Sequence, residues 1–449
     1  MATKKSSSGL HHLIKAVLFL IPTLLLVAFF YLQLQTITLL SPIIQCATHQ
    51  PPAAVVDDLV GRLRESVTFL PLMDTRRGFI GEMDDSDEPA GEAKHLVFPS
   101  EASAGRVLCV SAPPGAAAAY ALAWADALPA GAVLRRGLAF VSDSPYDYRN
   151  LWHGVAALAP FASWHGRSRC AARPARWALF HRGAARAAMA PWLAALAEAT
   201  TGVNMTVETF DDTAAMAGAV CFEDAVVFRR NMAGLSRERL RAAFDLMRCR
   251  ARARCGVAGD GGGGSPAAAL RVTLLLRTGA RAFKDEAAVT RVFGRECARV
   301  AGCALTAAHS DNLTFCDQVR LLSATDVLIS VHGAQMANLL FMERNSSVME
   351  LYPLGWRQRA GGGQFVFRWM ADRAGMRHEG SWWDPHGEPC PGSPDILSCY
   401  KNRQIGLDEK YFAQWAARVF TAAKERKMNH GVGAPAGEPQ RQVAPCLCK

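Results

Sequence analysis

The segment from Val327 to Phe341 brings an imidazole, a corner without bulk and a carboxamide together in one short stretch. His332, Gly333 and Ala334 follow the apolar run Val327 to Val331, and Asn338 lies about one helical turn further on. A strand that ends at such a corner aims the free N–H groups of the next helix into a crevice, which suits an anionic group such as a diphosphate. Asn338 either binds there or braces the loop through backbone bonds. A second strand-like run, Val348 to Pro353, sets the carboxylate of Glu350 near the same edge.

Two further groups have chemistry to offer. Arg277 directly follows the apolar run Leu270 to Leu276, and Arg281 lies in the loop just beyond it. A guanidinium at a strand's carboxyl end grips phosphate oxygens with two parallel bonds, which lysine cannot do. The third group is Asp147, Tyr148, Asn150, Trp152 and His153, after the strand-like run Leu138 to Val141. His153 is placed to act as a general base, because an unperturbed imidazole titrates near neutrality. Tyr148 and Trp152 offer flat faces either to a sugar or to the core.

Several chemistries lack their signatures. The one Asp-x-Asp pair of interest, Asp85 and Asp87, sits in an acidic run that reads as solvated charge, so no metal site is expected. His378 and Glu379 lack the second histidine of a zinc-protease helix. No Gly-x-Ser-x-Gly elbow and no Gly-x-Gly-x-x-Gly loop occurs. The glycine-rich run 259–266 lacks the Lys-Ser/Thr that closes a phosphate loop.

The elements that must position these residues alternate. Val107 to Val110, Leu138 to Val141, Ala178 to Phe180 and Ala225 to Phe228 read as strands, with helices over Ala184 to Ala199 and Ser236 to Arg250. Beyond the glycine-rich run, strands Leu270 to Leu276, Cys303 to Thr306, Val327 to Val331 and Val348 to Leu351 alternate with helices Asp285 to Val300 and Phe315 to Ser323. Strand–helix alternation implies parallel sheets with right-handed crossovers. A chain of 449 residues has room for two such halves around a cleft.

Residues 1–15 carry Lys4, Lys5 and Lys15, and 16–38 form an apolar stretch long enough for a membrane-spanning helix. The positive charge ahead of it predicts an uncleaved signal anchor with the body across the membrane. Thirteen cysteines without CxxC pairs predict disulfides rather than zinc sites. Asn204, Asn312 and Asn345 each head an N-glycosylation sequon. The formal charge of +10 suits an anionic ligand; a nucleic-acid role clashes with a membrane anchor.

The His332-to-Phe341 segment, with Val348 to Pro353, resembles the hallmark of glycosyltransferase family 61. Phe98-Pro-Ser100, Tyr120 to Trp124, Asn150 to Gly154, Leu276 to Gly279, Asn312 to Asp317 and Arg377 to Pro385 resemble recurring segments of an uncharacterised plant branch. The resemblance implies an α/β fold of GT-B type: two Rossmann-like parallel-sheet domains facing a cleft, with an N-terminal transmembrane helix. It implies a single-pass type II Golgi membrane enzyme that transfers a sugar from a UDP-sugar, with inversion, to a glycan or glycoprotein, and needs no metal or other cofactor. The expected order is tail 1–15, anchor 16–38, stem 39–95, acceptor domain 96–258, linker 259–266, donor domain 267–385 and extension 386–449. On this reading Arg277, Arg281, His332, Gly333, Ala334, Asn338 and Glu350 bind the donor, with Glu350 on ribose or sugar hydroxyls. Asp147, Asn150 and Trp152 bind the acceptor, and His153 is the catalytic base. Two departures stand out. Gln335-Met336-Ala337 replaces the family's frequent Gly-Leu-Thr, and Gly154 stands where many members have Asp. The latter leaves open a catalytically silent glycan-binding or scaffold subunit.

Overall fold

The computed structural model describes residues 70–71, 95–100, 103, 105–111, 121–125, 128, 130–144, 148–181, 184–210, 219–228, 235–257, 269–356, 363, 365–386, 390 and 396–432. The expected tail, anchor, most of the stem, the linker 259–266 and Asp147 lie outside these residues. Among the described residues no helix is long and apolar enough to cross a membrane.

The second lobe is a five-stranded, wholly parallel sheet. Its strands are β10 (Leu270–Leu276), β11 (Cys303–His309), β12 (Val327–Val331), β13 (Ser347–Tyr352) and β14 (Arg377–Trp383), in the spatial order β11-β10-β12-β13-β14. The chain leaves β10 on one side for β11, then returns across it to β12. The crevice between the carboxyl ends of β10 and β12 is therefore a topological switch point, where open α/β sheets bind ligands.

Side-chain alternation explains why both faces of this sheet are covered. Val272, Leu274, Val327, Ile329, Met349 and Leu351 point to one face. There they meet Val292 and Phe293 of a helix at Glu286–Ala298, and Phe412, Trp415 and Phe420 of a C-terminal helix at Glu409–Val432. Leu275, Leu328 and Val348 point to the other face, toward a helix at Phe315–Ser323 and a 3-10 helix at Ala334–Phe341. The expected extension beyond residue 385 thus completes the core of the second lobe. The residues after the His-Gly corner form a 3-10 helix rather than the expected start of an ordinary helix.

The first lobe departs from a purely parallel Rossmann sheet. Its central strands β5 (Val133–Ser144), β6 (Pro174–His181) and β9 (Ala219–Phe228) are parallel, with β5 between the other two. Around them β2 (His95–Phe98), β3 (Val107–Ser111), β4 (Ala121–Ala125) and β7 (Ala184–Arg186) pair antiparallel. The cause is connection length. Only nine residues separate β3 from β4 and two separate β6 from β7, too few for a crossover helix. Hence Ala184 begins a hairpin strand, and the helix expected from there starts instead at Pro191.

Three helices of this lobe pack toward the second: α1 (Leu151–Arg167), α2 (Pro191–Thr201) and α3 (Arg237–Arg254). Ser236 caps α3 by accepting from Arg239 N at 3.2 Å, as the sequence predicts. Leu158, Leu193 and Phe244 share one continuous core with Met336, Leu340 and Phe367 of the second lobe. Arg248 of α3, 5% exposed, donates to Leu340 O and Ala374 O and ties the lobes together with polar bonds.

Candidate active site

A cleft of about 1210 Å³ lies where the carboxyl ends of β10 and β12 face the first turn of α1. Arg277, Arg281, His332, Gly333, Ala334, Gln335 and Asn338 line one wall, and Asn150, Trp152 and His153 line the other. A pocket for one drug-sized ligand spans roughly 300–1,000 Å³, so this cleft has room for two substrates side by side.

Arg277 and Arg281 supply its positive charge. Arg277 donates from one terminal nitrogen to Gln335 Oε1 at 3.3 Å. Arg281 is 8% exposed, lies over the Trp356 ring with its guanidinium carbon 5.3 Å from the centroid, and is held at φ 64°. That left-handed backbone is uncommon for a side chain of this size. It is fixed by bonds from Arg281 N to Arg403 O at 2.8 Å and from Ile405 N to Ala282 O at 2.9 Å. The Nε atoms of both arginines are buried without a hydrogen-bond partner. Burial pulls the pKa of each guanidinium down; for Arg281 burial and then the charge of Arg277 bring it to about 10. Side by side, the buried guanidinium of Arg281 and the half-buried one of Arg277 have donors that suit an anionic group.

Gly333 lets the side chains of Arg277 and Gln335 approach the corner closely. A β-carbon there would fall 2.4 Å from an Arg277 terminal nitrogen and 2.4 Å from Gln335 Oε1. Gln335, one of the departures from the family pattern, also donates to Val331 O at 2.7 Å and so props the corner. Asn338 has a bracing role: it is fully buried, accepts from Trp192 Nε1 at 3.1 Å and donates to Gln335 O at 2.9 Å.

Glu350 does not reach the cleft, contrary to its expected contact with the donor's hydroxyls. It is 0% exposed, and its two oxygens meet His332 Nδ1 at 2.7 Å and His378 Nε2 at 2.8 Å. Complete burial pushes its carboxyl up, but the two histidine bonds outweigh this and hold it below the ordinary carboxylate range. The His332 ring is clamped by Tyr352, stacked at 4.7 Å, Trp356 at 5.0 Å and Phe367 at 5.3 Å.

On the opposite wall Asn150 is the N-cap of α1, accepting from Trp152 N at 3.0 Å. Trp152 meets Phe367 and Trp369 edge-on at 5.7 and 6.1 Å and also lines the cleft. Tyr148 belongs to the core, its hydroxyl donating to Phe180 O at 2.8 Å. His153 has its pKa lowered to about 4 by burial, then by Lys401 and His181. Gly154 faces away from the cleft: a β-carbon there would meet Leu193 Cδ2 at 2.6 Å. An acid at this position would collide with α2 rather than point at a substrate.

Sequence reasoning missed Trp356, Lys401 and the partnership of His378 with Glu350. Lys401 lines the cleft from a short helix (Ile396–Lys401) that a disulfide between Cys390 and Cys399 ties down. Only the Cys390–Cys399 spacing hinted at this helix being anchored. Disulfides also join Cys109 to Cys221, Cys255 to Cys316 and Cys297 to Cys303, and Cys170 and Cys249 are disulfide-bonded as well. Asn204, Asn312 and Asn345 are all exposed. Among the described residues no cluster of three His, Cys, Asp or Glu side chains is arranged to hold a metal ion.

A parallel sheet with a cationic crevice at its switch point defines a class of proteins that hold nucleotides or related anions. Within that class, residues 155–349 match the family model described as Glycosyltransferase 61, so the resemblance read from the sequence is shown over that span. Protein O-linked-mannose beta-1,4-N-acetylglucosaminyltransferase 2 of mouse and of human is 50% identical over 40 residues, 9% of this chain and 7% of each relative. The dog protein of that name is 46% identical over 43 residues, 10% of this chain and 7% of its own. The matches thus cover under a tenth of those relatives. An oxidoreductase from Corynebacterium diphtheriae aligns over 35% of this chain and 98% of its own, with 10% identity and a TM-score of 0.24, too low to bear on the fold.

Proposed function

We propose that this chain is an inverting glycosyltransferase that moves a sugar, of the xylose, arabinose or N-acetylglucosamine type, from a UDP-sugar to a glycan or glycoprotein. The family match supports sugar transfer. The observation that carries the nucleotide part is the pair Arg277 and Arg281, which together line the cleft at the switch point. At the carboxyl edge of the sheet, where open α/β sheets bind ligands, two guanidiniums suit the diphosphate of a nucleotide. As the acceptor hydroxyl attacks the anomeric carbon, the bond from that carbon to the diphosphate oxygen breaks and negative charge grows on the leaving group. Preorganised donors aimed at developing charge contribute roughly 3–4 kcal/mol each. One of the two cleft imidazoles, His153 or His332, takes the hydroxyl proton. No residue of the cleft calls for a metal in this scheme.

The apolar stretch 16–38, the disulfides and the exposed sequons support a Golgi membrane anchor with the lobes in the lumen. The rival reading as a silent scaffold loses its main support, since Gly154 faces Leu193 and not the cleft. Thermal unfolding of the full-length chain with UDP, with uridine and with UDP-sugars tests the proposal. Saturation at a hundredfold over Kd stabilises a folded protein by about 2.7 kcal/mol. UDP but not uridine is expected to raise Tm, with or without chelator. Product analysis with the best-binding sugar nucleotide should show an inverted linkage. No response to any nucleoside diphosphate defeats the reading.

A further inference from the structure

Building on the transferase reading, we infer that His332 is the proton acceptor of the cleft, and that buried Glu350 and His378 are positioning residues that fix its ring. The arrangement is asymmetric. Glu350 is wholly buried, and a carboxylate with a lowered pKa only accepts hydrogen bonds. Both ring nitrogens that touch it must then carry protons: Nδ1 of His332 at 2.7 Å and Nε2 of His378 at 2.8 Å. The Tyr352 hydroxyl also bonds Glu350, and burial followed by the Glu350 charge pushes that phenol up, so it stays a donor. Three donors on one buried carboxylate leave it no freedom to rotate.

His332 inherits that rigidity. With its proton held on Nδ1, the neutral ring presents the lone pair of Nε2, the nitrogen that Glu350 leaves free. His332 lines the cleft beside Gly333 and Gln335, where Arg277 reaches, so that lone pair meets the ligand space. A base turned by a buried third group is the general logic of activated nucleophiles. In the step, the acceptor hydroxyl's oxygen bonds the anomeric carbon and its proton passes to His332 Nε2. The carbon–oxygen bond to the diphosphate breaks, and its electron pair leaves with the nucleotide. The imidazolium formed is paired with the Glu350 carboxylate, which stays ionised.

The test has two arms on the full-length protein. In the first, nitrogen NMR of histidine-labelled chain reads the neutral tautomer of His332 without nucleotide. The proton is expected on Nδ1 in the parent. In Glu350→Gln the amide places an N–H against one of the two rings, and His332 or His378 changes tautomer. A His332 proton resting on Nε2 in the parent overturns the inference, whether or not the protein transfers sugar. In the second arm, His332→Asn and Glu350→Gln are expected to lower kcat by roughly 10²–10⁴-fold with KM for the donor nearly unchanged. If the parent transfers sugar and either Glu350→Gln or His332→Asn keeps its kcat, this assignment fails while the transferase reading stands. A parent that binds no UDP defeats the transferase reading alone, and the tautomer still judges the ring's position.

Discussion

The two walls of the cleft are held in place by different devices. On the second-lobe wall the polar groups stand at strand ends: Arg277 after β10, His332 after β12, and Glu350 within β13 behind them. Pairing registers such as Ser330 to Glu350 and Leu275 to Ser330 fix these positions, and Gln335 and Asn338 brace the corner from the 3-10 helix. On the first-lobe wall Asn150, Trp152 and His153 all ride on the first turn of α1, and the Asn150 side chain is occupied as its cap. A strand end is located by a whole sheet, a helix start by one cap and the packing beneath it. The rigid wall suits charge stabilisation, where donors must already point at the leaving group. The other wall suits an acceptor whose shape differs from case to case.

The largest effect expected from this contrast follows from removing a charge on the rigid wall. Arg277→Ala is expected to lower kcat/KM by roughly 10²–10³-fold, the cost of one preorganised donor, with Tm close to the parent's. The side chain is half-buried and bonds Gln335 through a long contact of 3.3 Å, so little of the fold depends on it. A folded Arg277→Ala protein with parental turnover would remove the main reason to see this wall as a diphosphate cradle.

A smaller effect sharpens the same point without touching a charge. Gly333→Ala adds one methyl group 2.4 Å from an Arg277 terminal nitrogen and from Gln335 Oε1. Both are ends of flexible side chains, so the fold can yield, but the guanidinium must leave its place. UDP affinity is expected to fall about tenfold, near 1.4 kcal/mol, with little change in Tm. Calorimetric titration checks this, and unchanged affinity would mean that Arg277 is not held in position by the corner.

The same contrast explains what the sequence made legible. β10, β12 and the helix Phe315–Ser323 end where the apolar periodicity ends, because each is a local pattern bounded by polar residues. Arg277, Arg281 and His332 followed as strand-end groups. The placement of Glu350 did not: whether a carboxylate on a buried strand points at solvent or at a histidine depends on β14, which brings His378 from 28 residues away. Nor did the antiparallel hairpins of the first lobe stand out, since alanine-rich runs such as Ala121–Ala125 carry no strand signature. Lys401 and Trp356 reach the cleft from irregular segments with no periodicity to read.

The smallest expected effect sets the two walls apart by acid. The first lobe contains two histidines with pKa lowered to about 4: His153, by burial, Lys401 and His181, and His165, by burial and Arg250. His165 is fully buried on α1, and neither ring nitrogen has a hydrogen-bond partner. A histidine whose folded pKa lies below its unfolded value of 6.5 binds its proton more readily when unfolded. Stability therefore falls as pH drops from about 6.5 to about 4, and the loss is complete below that. For His165 it is roughly 3 kcal/mol. Glu350 works in the opposite sense and a lower window: its lowered carboxyl contributes stability above its unfolded value of 4.5 and loses it only as pH falls through the folded value beneath. Between pH 6 and 5 the first lobe thus weakens while the buried acid behind His332 stays ionised. His165→Leu removes a group that makes no bond and fills similar space, so it is expected to flatten urea-measured stability across that range. Hydrogen exchange at pH 5 should show α1 opening ahead of β12 and β13. Equal slopes in the parent and His165→Leu would mean that the helix wall carries no buried proton acceptor, and the acid contrast between the two walls would fall with it.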